Sequence, residues 1–117
     1  MSNFNVVSSE LSQLVAHSAD AADLHAPVPT LLLELQTLLG TLTATVAAET
    51  KRGRAPFRPG PEWGARLGEL AYGVYLLADQ TGVDVSQVVA ATAHAVGGSA
   101  ARQAPIAPSD DWSFEGR

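Results

Sequence analysis

The chain has 117 residues, enough for one domain, and its 46% hydrophobic and 16% charged composition is that of an ordered helical protein rather than a disordered one. It contains no cysteine, which excludes disulfides and thiolate metal sites. The formal net charge of −5 argues against general nucleic-acid affinity.

Residues 1–20 lack a basic start followed by an apolar run, so no secretory signal is expected there. A first helix is expected from about Asn5 to Ala19, with Val7, Leu11, Leu14, Val15 and Ser18 as its inner stripe. Pro27 and Pro29 end it, and proline suits the first turn of a second helix running from about Pro29 or Thr30 to Lys51. Leu31, Leu35, Leu38, Leu42 and Val46 form one stripe of that helix, and Leu32 and Leu39 a flanking one. So wide an apolar surface calls for contacts on two sides, a core and a subunit interface. Gly40 and the threonines lower its intrinsic propensity, so packing must supply its stability. The apolar runs read as too short and too interrupted by polar residues to span a bilayer. A cytoplasmic protein that does not engage membranes is the expectation.

Residues 52–61, RGRAPFRPGP, read as a loop. Lys51, Arg52, Arg54 and Arg58 supply four of the seven basic residues within eight positions. Such a cluster draws phosphates toward the neighbouring cleft, or is a solvated loop that offsets an acidic remainder. From Trp63 the apolar residues fall at Leu67, Leu70, Val74 and Leu77, the spacing of one helical face, widened by Tyr72, Tyr75 and Leu76. Gly82 suits the left-handed residue that ends this third helix. Asp84, with Gln87 three residues on, is a capping-box pattern for a fourth, whose apolar face is Val85, Val88, Val89, Thr92 and Val96. Gly97-Gly98 is expected to end it. The domain organisation read this way is a helical domain over residues 1–97 and an irregular tail over 98–117. Four helices with short links imply an all-α, antiparallel four-helix bundle.

The stretch Leu67-Gly68-Glu69-Leu70, Leu77-Ala78-Asp79 and Gly82-Val83-Asp84-Val85 resembles the second half of the MazG-like all-α nucleoside triphosphate pyrophosphohydrolases, which read E-L-G-D, L-A and G-I-D-L at this spacing. The resemblance spans roughly residues 28–96. It implies a bundle fold and an activity that cleaves nucleoside triphosphates to the monophosphate and pyrophosphate. Its metal site would hold Mg²⁺ on clustered carboxylates, since the ion prefers oxygen ligands and activates water for attack. The family pattern is Glu-Glu-x-x-Glu on one helix and Glu-x-x-Asp on the next, positions that share a face.

Laid on this sequence, the first motif covers residues 33–38 and retains Glu34 alone of three acids; Thr37 stands at another acid position. A second register, with Glu34 as first acid, puts Leu35 and Leu38 in ligand places. On the next helix the first acid is Arg66 and the Asp is Glu69. Positions that often carry Asn and Lys in the family hold Thr92 and Ala95. The implied metal ligands are therefore Glu34 and Glu69, and the implied substrate contacts Arg66, Lys51, Arg54 and Arg58. A guanidinium in a dication site costs Coulomb energy, so Arg66 is expected to pair with Glu34, Glu69 or both.

His17, His25 and His94 show no ligand spacing, and no phosphate-cradling glycine loop or activated nucleophile stands out. In the tail, Trp112 and Phe114 sit among Asp110, Asp111 and Glu115. Aromatic anchors flanked by acids suit docking on a protein partner; alternatively Trp112 folds back on its own chain or a neighbouring subunit. Three functions follow. One is a degenerate MazG-like protein, homodimeric or homotetrameric, acting by binding or assembly without a cofactor. Another is an active Mg²⁺-dependent pyrophosphohydrolase in which Glu49 or a second subunit completes the site. The last is a helical oligomerisation module that recruits a partner through its tail.

Overall fold

The computed structural model describes residues 2–103, and side chains from residue 10 to residue 102. Within that range the protein is all-α: α1 (Ser2–Ala22), α2 (Val28–Glu49), α3 (Trp63–Thr81) and α4 (Val85–Gln103), with no strand among the described residues. The chain divides into two compact units, Met1–Val85 and Ser86–Arg117. The first holds α1, α2 and α3; α4 runs in the second from their boundary.

Each helix of the first unit closes the same way. Asp23, Lys51 and Gly82 take the left-handed conformation, with φ of 58°, 53° and 73°. The residue after each one reaches back five positions: Leu24 N–H donates to Ala19 O at 2.9 Å, Arg52 N–H to Ala47 O at 2.8 Å, and Val83 N–H to Ala78 O at 2.9 Å. This Schellman closure satisfies carbonyls that the helix end leaves unpaired. Gly82 fills its place at no steric cost, as the sequence predicts. Lys51 does not. It is not the last helical residue but the reversal itself, and Arg52 beside it is also left-handed, at φ 61°. At the other end of α2, Pro27 is the N-cap and Pro29 lies in the first turn, where a missing N–H does no harm.

Inside the first unit, α3 packs against α2 along one side and α1 along another. The buried cluster is Val15 and Ala19 of α1, Leu31 of α2 and Leu76 of α3, with Tyr72, Tyr75 and Leu77 partly buried against it. One polar tie crosses the α1–α3 face. Ser18 Oγ donates to Val15 O at 3.0 Å, which uses its single proton, so Tyr72 donates the 2.7 Å bond to Ser18 Oγ.

The inner stripe of α2 behaves as its spacing predicts: Leu31 is buried and Leu35, Leu38, Leu42 and Val46 are half-buried. The flanking residues do not find cover. Leu32, Leu33 and Leu39 are 46%, 63% and 52% exposed. One sequence expectation is corrected here. Over its 22 residues α2 is long and apolar enough to cross a membrane by length and composition, with a mean hydropathy of 1.4 in a stretch only 11% buried. The threonines that appeared to interrupt it are polar only in name. Thr37, Thr43 and Thr45 each donate to the carbonyl four residues back, at 2.8–3.1 Å, so their hydroxyls make no demand on the surroundings.

A second correction concerns α4, which continues through Gly97 and Gly98 to Gln103, so the tail does not begin at residue 98. A glycine inside a helix costs only about 1 kcal/mol relative to alanine, and Ser99, Ala100, Ala101 and Arg102 carry the helix on. Val88, Val89 and Val96 are exposed on it. Trp112 and Phe114, the aromatic pair read as a partner-docking element, lie outside the described residues.

Candidate functional site: the groove between α2 and α3

Where α2 and α3 run side by side they leave a groove of about 590 Å³, and Glu34 of α2 and Glu69 of α3 both line it. Two glycines shape it. Gly73 lets the helices approach so closely that a β-carbon there would lie 2.6 Å from Leu35 Cδ2. Gly68, also on the groove, has nothing within 4 Å of where its β-carbon would stand. Leucines 24, 31, 35, 38 and 76 line it, together with Tyr72, whose hydroxyl is engaged by Ser18.

The structure places Glu34 and Glu69, the two acids singled out in the sequence, on this one groove. Leu35 and Leu38 share the groove with Glu34, whereas Leu33 and Thr37 do not line it. Thr37 Oγ1 donates instead to Leu33 O at 3.1 Å.

Arg66 meets its expectation through Glu69. Its Nη1 lies 3.3 Å from Glu69 Oε1, a pair three residues apart on one helix. No Arg66–Glu34 pair forms among the described residues; Arg66 lines a neighbouring recess of about 210 Å³ together with Glu49, Glu62, Phe57 and Trp63. Glu49, the residue read as a possible third carboxylate, is therefore placed in that recess rather than in the groove. Phe57 and Trp63 meet edge to face there, with ring centres 4.9 Å apart, so the proline-rich segment is pinned to the start of α3.

None of Lys51, Arg54 and Arg58 lines the groove. Arg54 Nε donates to Lys51 O at 3.1 Å, which folds the basic turn on itself at the end of α2. His25 is employed structurally: its Nε2 is 3.1 Å from Asp79 Oδ2 and its Nδ1 3.3 Å from Asp20 Oδ1, so it joins the α1–α2 connection to α3. His17 and His94 are exposed.

Mg²⁺ coordination fits this set poorly. Six oxygen ligands per ion, shared between two ions, need several carboxylates. The groove has two, one of them already held by a guanidinium. No group of three or more His, Asp or Glu side chains suited to a metal ion occurs among the described residues. Sequence reasoning missed the contributions of Gly68, Gly73 and Tyr72 to this groove. The signal was Gly73, a glycine on an otherwise helical, apolar face at the point where the two helices approach.

Comparison of the chain with protein-family models, with curated proteins and with solved structures finds no match.

Proposed function

We propose that the chain is a MazG-like helical protein whose acidic site has decayed, and that it acts by binding or assembly rather than by hydrolysing nucleotides. One observation carries the reading: Glu34 and Glu69 line one groove between α2 and α3, while Leu35, Leu38 and Arg66 stand at other acid positions of the family pattern and Arg66 pairs with Glu69. Four helices of 19–22 residues are also the number and length that an antiparallel four-helix bundle requires. Assembly is supported by α2, which is rich in leucine yet exposes Leu32, Leu33 and Leu39. Such a helix is ordinarily buried, and a homodimer or homotetramer of a cytoplasmic protein would bury it. A protein partner reached through Trp112 and Phe114 belongs to the same reading.

The test is direct. Purified protein with Mg²⁺ or Mn²⁺ and a panel of nucleoside triphosphates should release no pyrophosphate above the protein-free control. Millimolar Mg²⁺ should leave the melting temperature in place, because a ligand stabilises only as far as it binds the native state. Metal-dependent pyrophosphate release that Glu69→Gln abolishes would overturn the proposal. Light scattering at micromolar concentration should give a dimer or tetramer, and a monodisperse monomer would remove the assembly half.

A further inference from the structure

The α2–α3 groove has a chemical selectivity of its own. Its apolar lining includes leucines 24, 31, 35, 38 and 76, with Tyr72, whose hydroxyl already bonds Ser18. Its charges are Glu34 and Glu69, and among the described residues no Lys, Arg or His lines it. Arg66 touches one oxygen of Glu69 from the adjacent recess and contributes nothing to the lining. The volume of about 590 Å³ falls in the range of small-molecule sites.

These features exclude ligands one class at a time. An anion meets two carboxylates of its own sign. A neutral apolar molecule covers the leucines but strips water from carboxylates without replacing it, which costs free energy. A small hydrophilic cation satisfies the carboxylates and leaves the walls wet. A ligand with an ammonium at one end and a hydrocarbon body satisfies both.

We propose that the groove binds a small apolar cation, an aliphatic or arylalkyl amine, with its ammonium held by Glu34 and Glu69 and its hydrocarbon along the leucines of α2 and α3. This deepens the binding role proposed above, since it gives the two surviving carboxylates an organic cation in place of a metal, and it rests on that role. The two ideas fail separately: metal-dependent pyrophosphate release removes the first, and absence of amine binding removes only the second.

The experiment uses the full chain and isothermal titration with n-octylamine, 1-octanol and n-octanoate, each below its aggregation threshold. Octylamine should bind with one-to-one stoichiometry, 1-octanol more weakly and octanoate not at all. Glu34→Gln and Glu69→Gln should each weaken octylamine about tenfold, the size expected for one charge-assisted hydrogen bond. Gly68→Leu supplies a control that keeps the fold. A β-carbon there meets nothing within 4 Å, leucine is the better helix former, and a bulky side chain at this groove-lining position should compete with the amine while the melting temperature holds or rises. Equal binding of amine, alcohol and carboxylate would overturn the proposal. So would amine binding that survives Gly68→Leu, or binding seen only as an oligomer dissociates, which would assign the groove to a second copy of the chain.

Discussion

Gly73 and Gly68 lie on the same helix and line the same groove, and alanine at each should have opposite consequences. At either position alanine gains helix propensity worth about 1 kcal/mol over glycine. At Gly68 the new methyl meets nothing within 4 Å, so the full gain should appear as added stability. At Gly73 it would stand 2.6 Å from Leu35 Cδ2 and 3.3 Å from Leu35 Cγ. Leu35 must then turn toward the groove or the helices must part, and overpacking of this kind costs roughly 1–3 kcal/mol. Because the clash is with the end of a side chain that has a groove beside it, the lower half of that range applies. Gly73→Ala should therefore fall between neutral and a loss of about 1 kcal/mol, leaving it about 1–2 kcal/mol below Gly68→Ala. Urea unfolding followed by circular dichroism measures both, with an unchanged m-value showing that the denatured state is not involved. In a Leu35→Ala background the obstruction is gone, and Gly73→Ala should become stabilising; that sign change is the coupling between the two positions. If Gly73→Ala stabilises the unaltered protein as much as Gly68→Ala does, α2 and α3 do not approach each other as described.

Lys51→Gly should stabilise by about 1 kcal/mol, because a left-handed residue with a β-carbon is strained and glycine is not; a drop in urea midpoint would show that Lys51 contributes more through its side chain. Tyr72→Phe should cost about 1 kcal/mol by removing the 2.7 Å bond to Ser18. Combined with Ser18→Ala, its effect should be less than additive, and strict additivity in a double-mutant cycle would mean the bond contributes nothing. His25→Ala should cost no more than about 1 kcal/mol, since Asp20 and Asp79 are both well exposed and surface pairs of this kind are weak; a larger loss in thermal melts would place His25 in the core of the fold.

Helix existence was legible in the sequence because the three-and-four spacing is long and sustained, and Gly82 and Pro29 mark ends whose backbone chemistry admits few other residues. The end of α2 was less so. Its reversal falls on Lys51, a residue that no rule for left-handed positions would select, while Gly53 nearby takes φ 90° as part of the same turn. Gly97-Gly98 misled in the other direction, since glycine permits a stop without requiring one. At the site, the family resemblance and not the spacing singled out Glu34 and Glu69, which line one groove. The resemblance left two registers open, because residues 33, 37, 35 and 38 all follow helical intervals from somewhere on α2. Only the direction in which α2 faces α3 separates them, and that direction is set by Leu31 and Leu76 packing together, a tertiary fact with no local trace.

The basic turn after α2 has a topological consequence. The two main helix–helix faces of the first unit, α1 on α3 and α2 on α3, both join a helix before residue 50 to one after residue 62. Lys51, Arg52 and Arg54 are exposed on the connection between them, in a sequence that a trypsin-like protease favours. A single nick there would sever no helix, yet it would turn every one of those contacts into an association between two separate peptides. Retention or loss of helicity after such a cut, followed on dilution, then reads out how tightly α3 holds α1 and α2 together.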